Sequence, residues 1–200
     1  MILYGGGDHG YSLYEILTLL GEPLEGFFDD REEGFLLPKE KYLGSYDPAI
    51  LPESPVLIAI TDNTIRRNLS LRVRHRIGAP LIHPRAYVAP SAILEPGVVV
   101  MAGAVIHSQA YIGAHTIINT GAVVEHFVRV GAFTHISPGV VLACRSQVGD
   151  SCFIGTGALI VPHVKVGEGA IVGAGSLVLR DVPAFARVWG HPAQPQSPKI

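Results

Sequence analysis

The chain has 200 residues, a formal net charge of −2 and 16% charged residues. That length suits one or two compact domains, and the near-neutral balance offers no basic stripe for a nucleic-acid backbone. No apolar run approaches membrane length, Met1–Gly5 lacks the basic-then-apolar order of a secretory leader, and Cys144 and Cys152 form no CxxC or zinc pattern, so a cytoplasmic enzyme without nucleic-acid or membrane partners is expected.

In chain order, Met1–Tyr4 reads as a short apolar strand, Gly5–Gly10 as a glycine turn, and Tyr11–Leu20 as a helix with Leu13, Ile16, Leu17 and Leu20 on one face, stopped by Gly21. A second strand, Leu24–Phe28, ends in Asp29-Asp30. A third, Val56–Ile60, ends in Thr61-Asp62-Asn63 ahead of a helix expected over Thr64–Ile77. Each polar cluster stands at a strand's C-terminal end, where open parallel sheets bind ligands. Residues 1–80 therefore read as an α/β, Rossmann-like half domain of three or four strands. Gly5, Gly7 and Gly10 fit GxGxxG, with Asp29 following at the distance of a ribose-binding acid. Glycines let backbone approach a diphosphate, and the helix N-terminus adds partial positive charge. This half domain is too short for a full dinucleotide fold, so any nucleotide diphosphate suits the turn better than a nicotinamide cofactor. A plain tight turn explains Gly5 and Gly10 but leaves His9 without a role. Arg66, Arg67, Arg72, Arg74 and Arg76 read as the solvated face of the second helix.

From Ile82 to Val178 every sixth residue is Ile, Leu or Val, through seventeen positions. Four residues after each, from Ala86 to Val182, the side chain is small or medium. Such a period fits neither a helix nor an alternating strand, so each unit is one short strand plus a turn, with three units per coil of a triangular prism. The sixth-position aliphatics point inward and form the principal core, each contributing roughly 1.5–3 kcal/mol before chain entropy is charged against it. Residues 81–183 form this domain, and 184–200 are expected as a C-terminal tail.

The repeat resembles the hexapeptide-repeat acyltransferases, whose fold is a left-handed parallel β-helix; periodicity alone carries no hand. Gly5–Gly10 resembles the GGxGHG start of bacterial sugar acetyltransferases of the sialic acid O-acetyltransferase and UDP-4-amino-sugar N-acetyltransferase type. Gly26–Asp30 (GFFDD), Ile58–Asn63 (IAITDN), Leu81-Ile82-His83-Pro84, Ile118–His126 (INTGAVVEH) and Gly190-His191-Pro192-Ala193 are similar to further phrases of that family. The resemblance implies a homotrimer that binds acetyl-CoA in grooves between β-helices and a nucleotide-linked amino sugar in the small domain. Acetyl transfer to a 4-amino-deoxy sugar is the implied reaction. O-acetylation of sialic acid or a related sugar is the enzyme alternative, and a catalytically silent trimer that binds CoA or nucleotide sugar is the non-enzyme one.

Acetyl transfer from a thioester needs a base and an oxyanion donor, and histidine's ordinary pKa suits the first. Within the resemblance His126 takes the position of the base, and His135 stands near the thioester of acetyl-CoA. Ala143, Cys144, Thr156, Gly157, Gly173 and Ala174 are implied as further CoA contacts. For the acceptor, Gly5, Gly6, Gly7, His9 and Gly10 would meet sugar or phosphate, while Asp29, Asp30, Thr61, Asp62 and Asn63 would read base and ribose. Three positions depart from the family. Phe127 stands where relatives carry an acid after the histidine, so the partner of His126 is left open; Glu125 is the adjacent candidate, although neighbouring residues usually point apart. Tyr11 replaces a lysine, and Gln194-Pro195-Gln196 lacks the usual cation near the CoA 3′-phosphate. A Cys144–His126 nucleophile and a metal held by His107, His126 and His135 are weaker alternatives, and no metal is expected.

Overall fold

A computed structural model describes residues 1–195; Gln196 lies outside the described residues. The N-terminal domain is a parallel sheet of β1 (Ile2–Tyr4), β2 (Gly26–Phe28) and β3 (Val56–Ile58) in the order β2-β1-β3. Its strands are buried on both faces, which is why they read as unbroken apolar runs. Leu3, Phe27 and Leu57 point to one face. There they pack on Leu13, Ile16 and Leu17 of helix α1 (Asp8–Leu20), and Leu81 and Val99 of the second domain join the same cluster. Ile2, Tyr4, Phe28, Val56 and Ile58 point to the other face, against Leu69 of helix α2 (Asn63–Arg72).

Both helix boundaries differ from expectation. Helix α1 starts at Asp8, so His9 and Gly10 lie in its first turn. Its last turn closes on Gly21, whose φ of 70° is accessible to glycine at little strain. Helix α2 ends at Arg72 instead of Ile77, because Val73 turns extended and Ile77 bridges to Val56 at the open edge of the sheet. The amide of Val56 donates to Arg76 O and that of Gly78 to Val56 O, satisfying an edge that a longer helix would have left bare.

The second domain is a left-handed parallel β-helix. Two-residue strands recur every six residues from Leu81–Ile82 to Leu177–Val178 and stack into three sheets, of eight, six and five strands once Arg187–Gly190 and Ala193–Pro195 are added to the first. Each strand pairs with the one a full coil later: Ile118 faces Ile136, Val124 faces Leu142, and Val130 faces Val148. These aliphatics fill the prism, with Ala104, Ala122 and Ala158 beside them. Polar members of that inner column find partners up the stack: Thr116 Oγ1 donates to Gly131 O and Thr134 Oγ1 to Gly149 O, each at 2.7 Å. Arg187–Gly190 continues the eight-stranded sheet beside Ile171–Val172, and a cis His191–Pro192 bond turns the chain into antiparallel Ala193–Pro195. The segment expected as a tail thus extends the β-helix sheet through Pro195.

From Gly97 to Gly175 each corner of the prism has one residue at positive φ, and these recur every six residues. The three edges fill that position differently. Between the five- and eight-stranded sheets it is Gly97, His115, Phe133, Ser151 and Gly169. Between the six- and five-stranded sheets it is Gln109, Phe127, Arg145 and His163. Between the eight- and six-stranded sheets it is glycine throughout: Gly103, Gly121, Gly139, Gly157 and Gly175.

Candidate active site

The glycine turn is shaped first by packing. A Cβ on Gly10 would lie 2.1 Å from Gly5 O, one on Gly6 would press on Phe27 and Phe35 at 2.7 Å, and Gly5 holds a φ of 119° against Ala59. Only Gly7 has ordinary room, with Arg31 at 3.5 Å, and it caps α1 without a side chain. Asp29 is committed to this turn: Oδ2 accepts the Gly6 amide at 2.8 Å, and both oxygens accept the Arg31 guanidinium. Burial alone would raise its pKa; hydrogen bonds from Arg31 and Gly6 outweigh that and hold the carboxyl below its usual range. Arg31 was not singled out by the sequence. Asp30 accepts the Tyr4 hydroxyl at 2.9 Å.

Helix α2 docks on the edge between the five- and eight-stranded sheets. Asp62 caps it by accepting the Ile65 amide at 2.8 Å, and Asn63 Nδ2 donates to Cys152 O at 2.8 Å. Arg66 is not on a solvated face: it is 1% exposed. Its Nε donates to His115 O at 2.7 Å, and its terminal nitrogens donate to Ile60 O, Thr61 O, Asn63 Oδ1 and Phe133 O. Spacing of i, i+3 from buried Leu69 was the available signal. Arg67 stays half exposed and reaches Glu168 across the same junction at 3.6 Å, while Arg74 and Arg76 lie beyond α2.

Around Arg66 stand His9, His115 and His135. Burial, then His135 and Arg66, push His9 down to about 3. Burial, then Arg66, push both His115 and His135 to about 4. All three rings are therefore neutral at working pH. His115 stacks on Phe133, and Asn119 Nδ2 lies 3.1 Å from His135 Nε2. Beside them Thr61, Asp62 and Asn63 line a cleft of about 820 Å³ with His135, Phe153 and Phe185.

His126 lies elsewhere, exposed on the edge between the six- and five-stranded sheets. Its Nδ1 is 3.1 Å from Glu125 Oε2, and Glu125 Oε1 is 3.8 Å from His107 Nε2, one coil earlier. Contrary to the expectation for adjacent residues, Glu125 folds back onto the ring, because the corner after Val124 turns both side chains outward. Phe127, at φ 60°, packs its ring under the Arg145 guanidinium at 4.4 Å. His135 belongs to the eight-stranded sheet and does not meet His126 within one chain. Among the described residues no three His, Cys, Asp or Glu side chains converge as a metal site.

The implied CoA contacts divide between two edges. Ala143 and Cys144 lie one coil beyond His126 on its edge, where the Arg145 amide donates to His126 O. Thr156, Gly157, Gly173 and Ala174 lie on the glycine edge, where Cβ atoms on Gly121, Gly139, Gly157 or Gly175 would meet nothing within 4 Å. Cys144 is unpaired and half-buried, and burial pushes the inner Cys152 up to about 11.

Comparison with known proteins follows this division. Residues 1–73 match the family described as PglD N-terminal domain, and residues 145–180 match bacterial transferase hexapeptide (six repeats). A histidine-to-asparagine variant of perosamine N-acetyltransferase from Caulobacter crescentus, solved with CoA and GDP-perosamine, is 38% identical, with 98% of this chain and 96% of that one covered and a TM-score of 0.91. The acetyltransferase domain of PglB from Neisseria gonorrhoeae, solved with acetyl coenzyme A, is 31% identical over 98% of each chain, with a TM-score of 0.87. UDP-N-acetylbacillosamine N-acetyltransferase from Bacillus subtilis is 37% identical over 110 residues, half of this chain and half of that protein's length. The chain belongs to the hexapeptide-repeat sugar acetyltransferases that join a PglD-type N-terminal domain to a left-handed β-helix.

Proposed function

We propose that the protein transfers acetyl from acetyl-CoA directly to the amine of a nucleotide-linked 4-amino-deoxy sugar, with His126 as general base, at sites completed by a second protomer of a homotrimer. The observation that carries this reading is the Glu125–His126 contact on an exposed edge. A carboxylate at Nδ1 holds the proton there and leaves Nε2 as the acceptor facing solvent. His126 takes a proton from the attacking amine as its lone pair closes on the thioester carbonyl. The tetrahedral oxyanion collapses, the C–S bond breaks, and the imidazolium returns the proton to the departing CoA thiolate.

Two copies are needed because one CoA touching Cys144 and Gly157 would otherwise span two edges of one prism. Apposing the His126 edge of one protomer to the glycine edge of the next puts both sets in one groove. Glycine at the positive-φ corners of that edge lets an extended pantetheine arm lie close to backbone donors and acceptors. The glycine turn and the α1 N-terminus suit the diphosphate, and Thr61, Asp62 and Asn63 at the end of β3 line a cleft with His135. The nucleotide amino sugars named for the relatives favour nitrogen over oxygen as the acetyl acceptor. The unpaired cysteines fit the cytoplasm, where this chemistry is placed.

The deciding experiment follows thiol release from acetyl-CoA with GDP-, UDP- and dTDP-linked amino sugars and free sialic acid, with products identified by mass. Turnover with one nucleotide amino sugar, lost in His126→Asn, is expected. Turnover with sialic acid alone, or full turnover in His126→Asn, overturns the proposal.

A further inference from the structure

The edge that carries His126 holds long side chains at the corners where another edge holds only glycine. Gln109, Phe127 and Arg145 stand there in successive coils with φ of 60°, 60° and 59°. A left-handed backbone costs a side chain strain that glycine escapes, and strain of this kind collects where the side chain is used. On the edge under the small domain that use is visible: His115 stacks on Phe133, and Arg66 donates to the carbonyls of both. On the His126 edge Gln109, Phe127 and Arg145 are all exposed, with no other part of the chain over them.

These three residues line a hollow of about 270 Å³ with Arg129 and Gln147, which pair on the five-stranded sheet. Both cations are held against rings. Arg145 Cζ lies 4.4 Å from the Phe127 ring centroid, and Arg129 Cζ lies 5.9 Å from that of Tyr111. A guanidinium stacked by its face keeps its in-plane N–H groups free to donate sideways. Among the described residues neither guanidinium forms an ion pair or donates a hydrogen bond, and the side-chain amides of Gln109 and Gln147 are also without partners. Glu125, the carboxylate of the same corner, is turned to His126 and His107. The hollow is thus ringed by donors and holds no anion of the chain's own.

We propose that Arg129 and Arg145 form an anion site that takes a phosphoryl group of a substrate beside His126. Planar N–H forks match phosphate oxygens in pairs, which a single ammonium cannot do. The identity of the phosphoryl donor rests on the function proposed above. In that reading two phosphorylated molecules meet at this edge: CoA, whose phosphates lie beyond the pantetheine arm, and the acceptor, whose diphosphate lies one sugar ring from the amine. The site belongs to the β-helix and is separate from the glycine turn of the small domain.

The test uses the full-length protein and titration calorimetry with inorganic pyrophosphate, CoA, GDP and UDP. Arg129→Gln and Arg145→Gln are each expected to weaken pyrophosphate binding about fivefold, a low figure for a hydrogen bond to a charged group because the hollow is open to water. Glutamine suits both positions, since Gln109 already holds φ 60° at the same corner and Gln147 the neighbouring strand position. Arg74→Gln, which removes the same charge beyond helix α2, is expected to change nothing. A matching loss for CoA assigns the phosphoryl group to CoA, and a matching loss for GDP or UDP assigns it to the acceptor. In turnover the same two variants are expected to raise the KM of that one substrate, with kcat within about twofold. A loss confined to pyrophosphate overturns the assignment to a substrate. Equal affinities in wild type and both variants, or an equal loss in Arg74→Gln, overturn the anion site itself. Calorimetry needs no turnover, so these results stand even if no sugar of the panel is acetylated, which separates failure of this inference from failure of the proposed reaction.

Discussion

Acidification from pH 7 to 5.5 should loosen the junction between the two domains before it affects the β-helix core. His115 and His135 are each 7% exposed, and their folded pKa values of about 4 lie below the ordinary 6.5. A depressed histidine pKa means that the unfolded chain binds the extra proton, so stability is complete above pH 6.5 and falls as the pH drops toward 4. One unit below 6.5 the loss is about 1.4 kcal/mol per ring, or about 3 kcal/mol for the two, against a typical total of 5–15 kcal/mol. His9, driven lower still, acts in the same direction. Arg66 is already part of that depression, since each new imidazolium faces a buried guanidinium. Asp29 has its pKa lowered from 3.8 and Glu25 from 4.5, so their stabilisation is lost only at more acid pH and does not obscure this window. Urea unfolding followed by circular dichroism at pH 7.0, 6.5, 6.0 and 5.5 measures the slope, and hydrogen exchange locates it. A midpoint that stays constant across this range, or early exchange confined to the late coils, would refute the argument.

Three further outcomes follow from named contacts. Gly10→Ala should destabilise the small domain by about 3 kcal/mol, because its Cβ would enter the Gly5 carbonyl; a melting curve equal to the wild type contradicts the close approach. Glu125→Gln should lower kcat about tenfold while Phe127→Glu leaves it within about threefold, since His126 Nδ1 already has a carboxylate; a gain above tenfold in Phe127→Glu shows that Glu125 does not orient the ring. Gly157→Asn should keep the fold, with stability changed by less than about 1 kcal/mol because Asn tolerates positive φ, yet raise the acetyl-CoA KM severalfold; an unchanged KM removes CoA from the glycine edge.

The β-helix was legible because its physics is local and repeated. One aliphatic every six residues, with a small neighbour four later, gives a stack of short strands and turns in which each coil reproduces the last, while its left hand came from the resemblance. The β1–α1 unit was legible for the same reason, from apolar spacing and glycine punctuation. Helix α2 was overextended because Ile77 was claimed by the open edge of a sheet whose third strand lies twenty residues upstream. Arg66 was misplaced because composition marks arginine as a surface residue, while its burial depends on carbonyls of His115, Phe133 and Thr61 brought together by docking. Glu125 was undervalued for a subtler reason: in a strand, adjacent side chains diverge, but at a corner both point out and a carboxylate reaches the next ring.

The order of residues along the chain by itself determined the coil period and the change of pattern near residue 80, while the resemblance carried by Ile118–His126 supplied His126 as the expected base. Tertiary structure alone decided which edge carries His126, which edge has glycine at its positive-φ corners, and which histidines are buried around Arg66. Those assignments depend on partners 18 to 89 residues apart, and separations of that kind are set by how coils stack and domains dock, not by any local propensity.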